Sequence, residues 1–114
     1  MQTQLANMTT FEREVTTSAI ENYVNNFAPE DVNIMHIPVE NRGKLASTLI
    51  DLFLSIGVNG KTRELNIDNS ILYSQFFVRR EINRALTNSG FGAPEAVRSM
   101  ISSELINAVQ KSLK

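Results

Sequence analysis

The 114-residue chain has no cysteine and no tryptophan, a single histidine, three prolines and five glycines. Without cysteine there are no disulfides, thiolate metal sites or cysteine nucleophiles, which suits a reducing compartment and points to the cytoplasm. One histidine, His36, leaves no second imidazole to build a zinc site. Long hydrophobic runs are also missing: the most apolar stretch, Leu49 to Val58, is interrupted by Asp51 and is too short to span a bilayer. The first ten residues, MQTQLANMTT, lack the basic start and apolar centre of a signal peptide. No membrane partner is expected. A chain of this length buries roughly two-thirds of its extended surface, enough for a core without metal or disulfide staples. One helical domain over 1–114 follows, with residues 1–8 as a flexible lead.

Charge is nearly balanced, at −1 overall, so there is no general field to attract nucleic acid. Its distribution is uneven. Residues 1–41 hold one arginine against six acids, whereas residues 42–84 hold seven cations against four acids. The two regions can attract one another between copies of the chain, or the basic middle can face a ligand; solvated surface charge is the plainer account.

The periodicity is helical throughout. Thr9 and Glu12 form a T-x-x-E capping box, and Phe11, Val15, Ala19, Tyr23 and Phe27 recur every four residues, with Ile20 and Val24 alongside. This predicts a helix over 10–26 with Glu12, Glu14 and Glu21 on the opposite side. Pro29, Glu30 and Asp31 read as the start of a short extra helical turn near 29–35. A second main helix, 39–56, places Leu45, Leu49, Leu52, Phe53 and Ile56 on one face and Lys44, Ser47, Thr48, Asp51 and Ser55 on the other. Gly57 ends it and Asn59-Gly60 supplies a turn. Residues 61–67 read equally as loop or as a short strand, and a lone strand has no evident pairing partner unless the chain dimerises.

The third helix, 69–88, is capped in this reading by Asp68 or Asn69 and is the element around which the chain is expected to pack. Ile71 to Val78 carry six large apolar side chains in eight residues. Ile71, Val78, Ile82, Ala85 and Leu86 make one apolar face, while Tyr73, Phe76 and Phe77 lie on the far side above Arg80 and Arg84. After Ser89-Gly90-Phe91-Gly92, Pro94 opens a fourth helix, 94–112, with Val97, Ile101, Leu105, Val109 and Leu113 as its stripe. The expected fold is all-α: a small bundle of four main helices plus one short one.

Catalytic and cofactor signatures do not emerge. His36 has no argued partner serine, no G-x-S-x-G elbow occurs, the glycines make no phosphate loop, and Glu30 with Asp31 lacks the spacing of a calcium loop. No enzyme, metal or cofactor is expected. Nucleic-acid binding has more to recommend it, because Lys61, Arg63, Arg79, Arg80 and Arg84 come within reach of each other if the 61–67 segment folds beside the third helix. A helix-turn-helix reading fails, since Phe53 occupies the position that needs a small residue and the turn is too long. Ser89-Gly90-Phe91 with Glu95-Ala96-Val97-Arg98 resembles the turn and second helix of ParD-like ribbon-helix-helix antitoxins, but the intervening helix is too long for that family.

A further resemblance covers residues 27–70, with gaps. Phe27-x-x-Glu30-Asp31-Val32, Val39-Glu40-Asn41-Arg42, Ile56-Gly57-Val58, Arg63-x-Leu65-Asn66 and Asn69-Ser70 occur in the order of short matches in the AsiA family, the small helical anti-sigma factors of T-even phages. That resemblance implies an all-helical protein that dimerises and grips the carboxy-terminal region of the primary RNA polymerase sigma factor through an apolar helix face. No site residue is carried across from it. On the residues themselves the expected function is non-enzymatic protein binding by a small regulator, with Tyr73, Phe76, Phe77, Arg80 and Arg84 as the partner-binding set. A dimeric DNA-binding regulator and a virion or assembly subunit are the alternatives.

Overall fold

A computed structural model describes residues 8–26, 37–59, 62–67 and 74–114. It is all-α: four helices, α1 (Thr10–Asn25), α2 (Val39–Ile56), α3 (Gln75–Asn88) and α4 (Glu95–Ser112), with no strand among the described residues. The expected short turn at 29–35, and His36, lie outside those residues. Each helix packs on two others: α1 on α2 and α4, and α3 on α2 and α4. The helices therefore form a closed ring with α1 and α3 on opposite sides. No helix is central. The expectation that the rest of the chain surrounds the third helix is corrected on this point, because α3 buries Val78, Ile82, Ala85 and Leu86 on one side only.

Helix α1 starts as its sequence dictates. The Thr9 hydroxyl accepts from the Glu12 amide at 3.1 Å and the Glu12 carboxylate accepts from the Thr9 amide at 3.0 Å, closing the capping box. Its buried face is rotated from the expected one. Ile20 and Val24 are inside as expected, but they are joined by Thr16 and by Glu12, expected on the opposite side, whereas Phe11 is 61% exposed. Burying Glu12 is tolerable because both of its oxygens are engaged, one in the cap and the other 3.6 Å from the Arg63 guanidinium. At the other end Arg42, buried, donates from Nε to the Ile37 carbonyl at 3.0 Å and from Nη1 to the Asn25 carbonyl at 3.4 Å. It thus brings a cation to the carboxyl end of α1, which has no basic residue of its own in the last turn.

In α2, Leu45, Leu49, Phe53 and Ile56 are buried as the pattern requires, with Leu52 partly covered. Gly57 ends the helix at φ 76° and ψ −177°, a conformation that glycine alone adopts without strain. The ambiguity at 61–67 resolves within the chain. Val58 and Leu65 form one antiparallel bridge, with Asn59 donating to the Glu64 carbonyl at 2.8 Å and Asn66 to the Gly57 carbonyl at 3.0 Å. No second copy is needed to pair it. The turn is tied to the end of α4, where the Gln110 side chain accepts from the Leu65 amide at 2.9 Å and donates to the Arg63 carbonyl at 3.2 Å.

Helix α3 begins later than expected. Ser74 is in an extended conformation and its hydroxyl accepts from the Phe77 amide at 3.1 Å, so it, rather than Asp68 or Asn69, is the cap. The helix ends in a Schellman motif. Phe91 donates to the Leu86 carbonyl and Gly90 to the Thr87 carbonyl, both at 3.1 Å, with Gly90 at φ 92° and Phe91 buried. A Cβ at Gly90 meets nothing closer than 3.6 Å, so only backbone strain opposes a side chain there. Gly90→Ala is expected to lower unfolding free energy by about 1–2 kcal/mol in urea titration, with an unchanged m-value. Pro94 then caps α4, whose Ile101, Leu105 and Val109, followed by Leu113, complete the core.

Candidate docking face on helix α3

The side of α3 that faces away from the ring carries the candidate site. Phe76, Arg80 and Arg84 follow one another at four-residue spacing and so form one row along the helix. Phe76 is 75% exposed, the most exposed of the large hydrophobic side chains described. Arg80 and Arg84 are exposed too, and Phe77 is partly buried against the core. The Arg80 guanidinium lies 5.7 Å from the Phe77 ring centroid, within cation–π range. Glu81 serves both arginines, its Oε2 being 3.8 Å from Arg80 Nε and 3.5 Å from Arg84 Nη1. These are open, solvent-screened pairs, worth under about 1 kcal/mol each, and they leave the row with a surplus positive charge.

Beside this row a groove of about 350 Å³ runs between α2 and α3, with Leu49, Leu52 and Phe77 providing apolar wall and Asp51, Ser55 and Glu81 a polar edge. Of the five residues singled out from sequence, Phe76, Arg80 and Arg84 are brought together at the surface and Phe77 is shared between surface and core. Tyr73 lies outside the described residues. The wider basic cluster does not assemble as expected. Arg63 turns to the junction of α1 and α4, donating from Nε to the Leu113 carbonyl at 3.2 Å and pairing with Glu12. Arg79 points to α4 and donates to the Ser99 carbonyl at 3.4 Å. Lys61 lies outside the described residues.

Among the described residues two further large apolar side chains are exposed, Phe11 on α1, expected in the buried stripe, and Met100, 48% exposed, on α4. Phe11 shares a four-residue row with Val15, Ala19 and Tyr23 that looks like a core stripe by periodicity alone. Tyr23, also expected in the core stripe of α1, is half-buried and donates from its hydroxyl to the Glu104 carboxylate at 2.9 Å. Burial first, then the Glu104 bond and its charge, raise the phenol above its usual range, so it holds its proton and bridges α1 to α4. Among the described residues there is no group of three or more histidines, cysteines or acids close enough to hold a metal ion, and no helix is long and apolar enough to cross a membrane. Comparison with protein-family models, curated proteins and solved structures yields no match.

Proposed function

We propose that this chain is a non-enzymatic protein-binding regulator of a reducing compartment such as the cytoplasm, and that it docks through the outer face of α3. The observation that carries the reading is Phe76: a phenylalanine three-quarters exposed, on a helix whose other side is already packed, in line with two arginines. Aromatic residues and arginine are the types that dominate binding energy at protein interfaces, and the adjoining groove gives a partner's side chain somewhere to go. The surplus positive charge of the row favours a partner segment that is apolar with acidic flanks. The resemblance over residues 27–70 makes the carboxy-terminal region of the primary sigma factor the first partner to try. The direct test is titration calorimetry of that purified region against wild type and Phe76→Ala. Alongside it, nuclease-treated capture from host extract compares the proteins retained by the two forms.

DNA binding has less support. Arg63 is occupied at the α1–α4 junction, Arg79 turns to α4, and Glu81 offsets one of the two arginines left on the outer face. Few phosphates can then be neutralised together. The expected result is no band shift of random duplex at micromolar protein in about 0.15 M salt. A shift abolished by Arg79→Ala with Arg80→Ala replaces the protein-docking reading with the nucleic-acid one.

A further inference from the structure

Among the described residues, helix α1 also carries an outer face that no other element covers. Phe11, Val15, Ser18, Ala19 and Asn22 of α1, with Ser112 at the end of α4, line a shallow depression of about 400 Å³, and Glu14 also borders it. Glu21, two turns and about 10 Å beyond Glu14 on the same side of α1, lies past the depression, on the groove between α1 and α2 that Arg42 and Ser47 also line. Both carboxylates are exposed, and among the described residues neither has an ion-pair partner within 4 Å. The outer row of α3 has the complementary chemistry in the same chain order. An exposed phenylalanine comes first, Phe11 or Phe76, followed by charge: Glu14 and Glu21 on α1, Arg80 and Arg84 on α3. Phe11 to Glu21 spans about 15 Å of helix and Phe76 to Arg84 about 12 Å, so two helices laid side by side in parallel set ring against ring and acids against arginines.

We infer that the α3 face of one copy docks on the α1 face of a second copy. This rests on the reading of α3 as a docking surface and names one partner for it. Since α1 and α3 lie on opposite sides of the ring and do not touch, one pair of copies cannot make both contacts reciprocally. The contact is head-to-tail, and a third copy adds as the second did.

Sedimentation velocity of the full chain, at concentrations from about 5 to about 500 μM in low salt, is the test, because charge-assisted association weakens as salt rises. The expected result is a mass that climbs past the dimer with concentration and falls back on adding about 0.5 M salt. Phe76→Asp and Phe11→Asp are each expected to be monomeric with wild-type circular dichroism. Mixed, they form a one-to-one dimer and nothing larger, the intact α1 face of the first meeting the intact α3 face of the second. Three results overturn the inference: a wild type that stays monomeric throughout, a Phe11→Asp form that still associates, or a mixture of the two variants that does not dimerise. In each of those cases a partner that binds wild type but not Phe76→Ala leaves the docking role of α3 standing, so the two readings fail separately.

Discussion

Phe76→Ala leaves the melting curve where it is and removes at least about 2 kcal/mol of association with the docking partner, a roughly 30-fold rise in Kd. The side chain is 75% exposed, so little apolar surface returns to water on unfolding, and alanine is the better helix former. Folding stability is expected to move by no more than about 0.5 kcal/mol. Phe77→Ala is its internal control. That ring is partly buried against the core, so its loss is expected to cost about 1–3 kcal/mol of stability, short of the full cost of emptying a buried aromatic site. Arg84→Ala belongs with Phe76: exposed, paired with Glu81 at the surface, and expected to weaken association without touching stability. Calorimetry and thermal melts on the three variants separate the roles. A Phe76→Ala protein that binds as wild type does sinks the proposal, whatever its melting point.

Why the two neighbouring phenylalanines differ was only half legible in the sequence. Their side of α3 was readable, because Val78, Ile82, Ala85 and Leu86 define the buried face and leave Phe76, Arg80 and Arg84 opposite. The arrangement of the other helices was not. A stretch with apolar residues on two sides reads as a central helix, and only the ring closure of α1, α2, α3 and α4 shows that no other described helix covers the second side. Helix α1 shows the same limit in reverse. Phe11, Val15, Ala19 and Tyr23 make the better apolar stripe on paper, yet Glu12 and Thr16 share the buried face with Ile20 and Val24. What decides it is Arg63, 51 positions further on, which meets the Glu12 carboxylate and makes its burial tolerable. No local pattern encodes that partner. The same arginine explains why the basic cluster disperses: Arg63 has a buried acid and the Leu113 carbonyl to satisfy, and both lie away from α3. Helices α2 and α4 were legible almost to the residue, because their apolar stripes coincide with Leu45, Leu49, Phe53 and Ile56 and with Ile101, Leu105, Val109 and Leu113, all buried.

Phe53→Ala tests that shared core and carries the largest expected stability effect. Phe53 has no exposed surface and is the bulkiest of the fully buried side chains, on the helix that packs against both α1 and α3. Truncation removes the transfer energy of the ring and leaves a void that a close-packed interior fills only in part, about 3–5 kcal/mol in all. Against the 5–15 kcal/mol typical of a domain, that loss is a large share of the total. For a chain of this size each kcal/mol moves the midpoint by roughly 4–5 °C, so the melting temperature is expected to fall by about 12–25 °C. Phe53→Leu keeps most of the volume and is expected to cost about 1–1.5 kcal/mol. The graded pair distinguishes a packed core from a loose one. A loose, plastic interior gives losses under about 1 kcal/mol for both substitutions and broad melts, which contradicts the complete burial of Phe53. The docking face makes the opposite demand of the same experiment: at a concentration and temperature where Phe53→Ala remains folded, its binding is expected to match wild type, because Phe76, Arg80 and Arg84 are held by the inner face of α3 and not by the ring of Phe53.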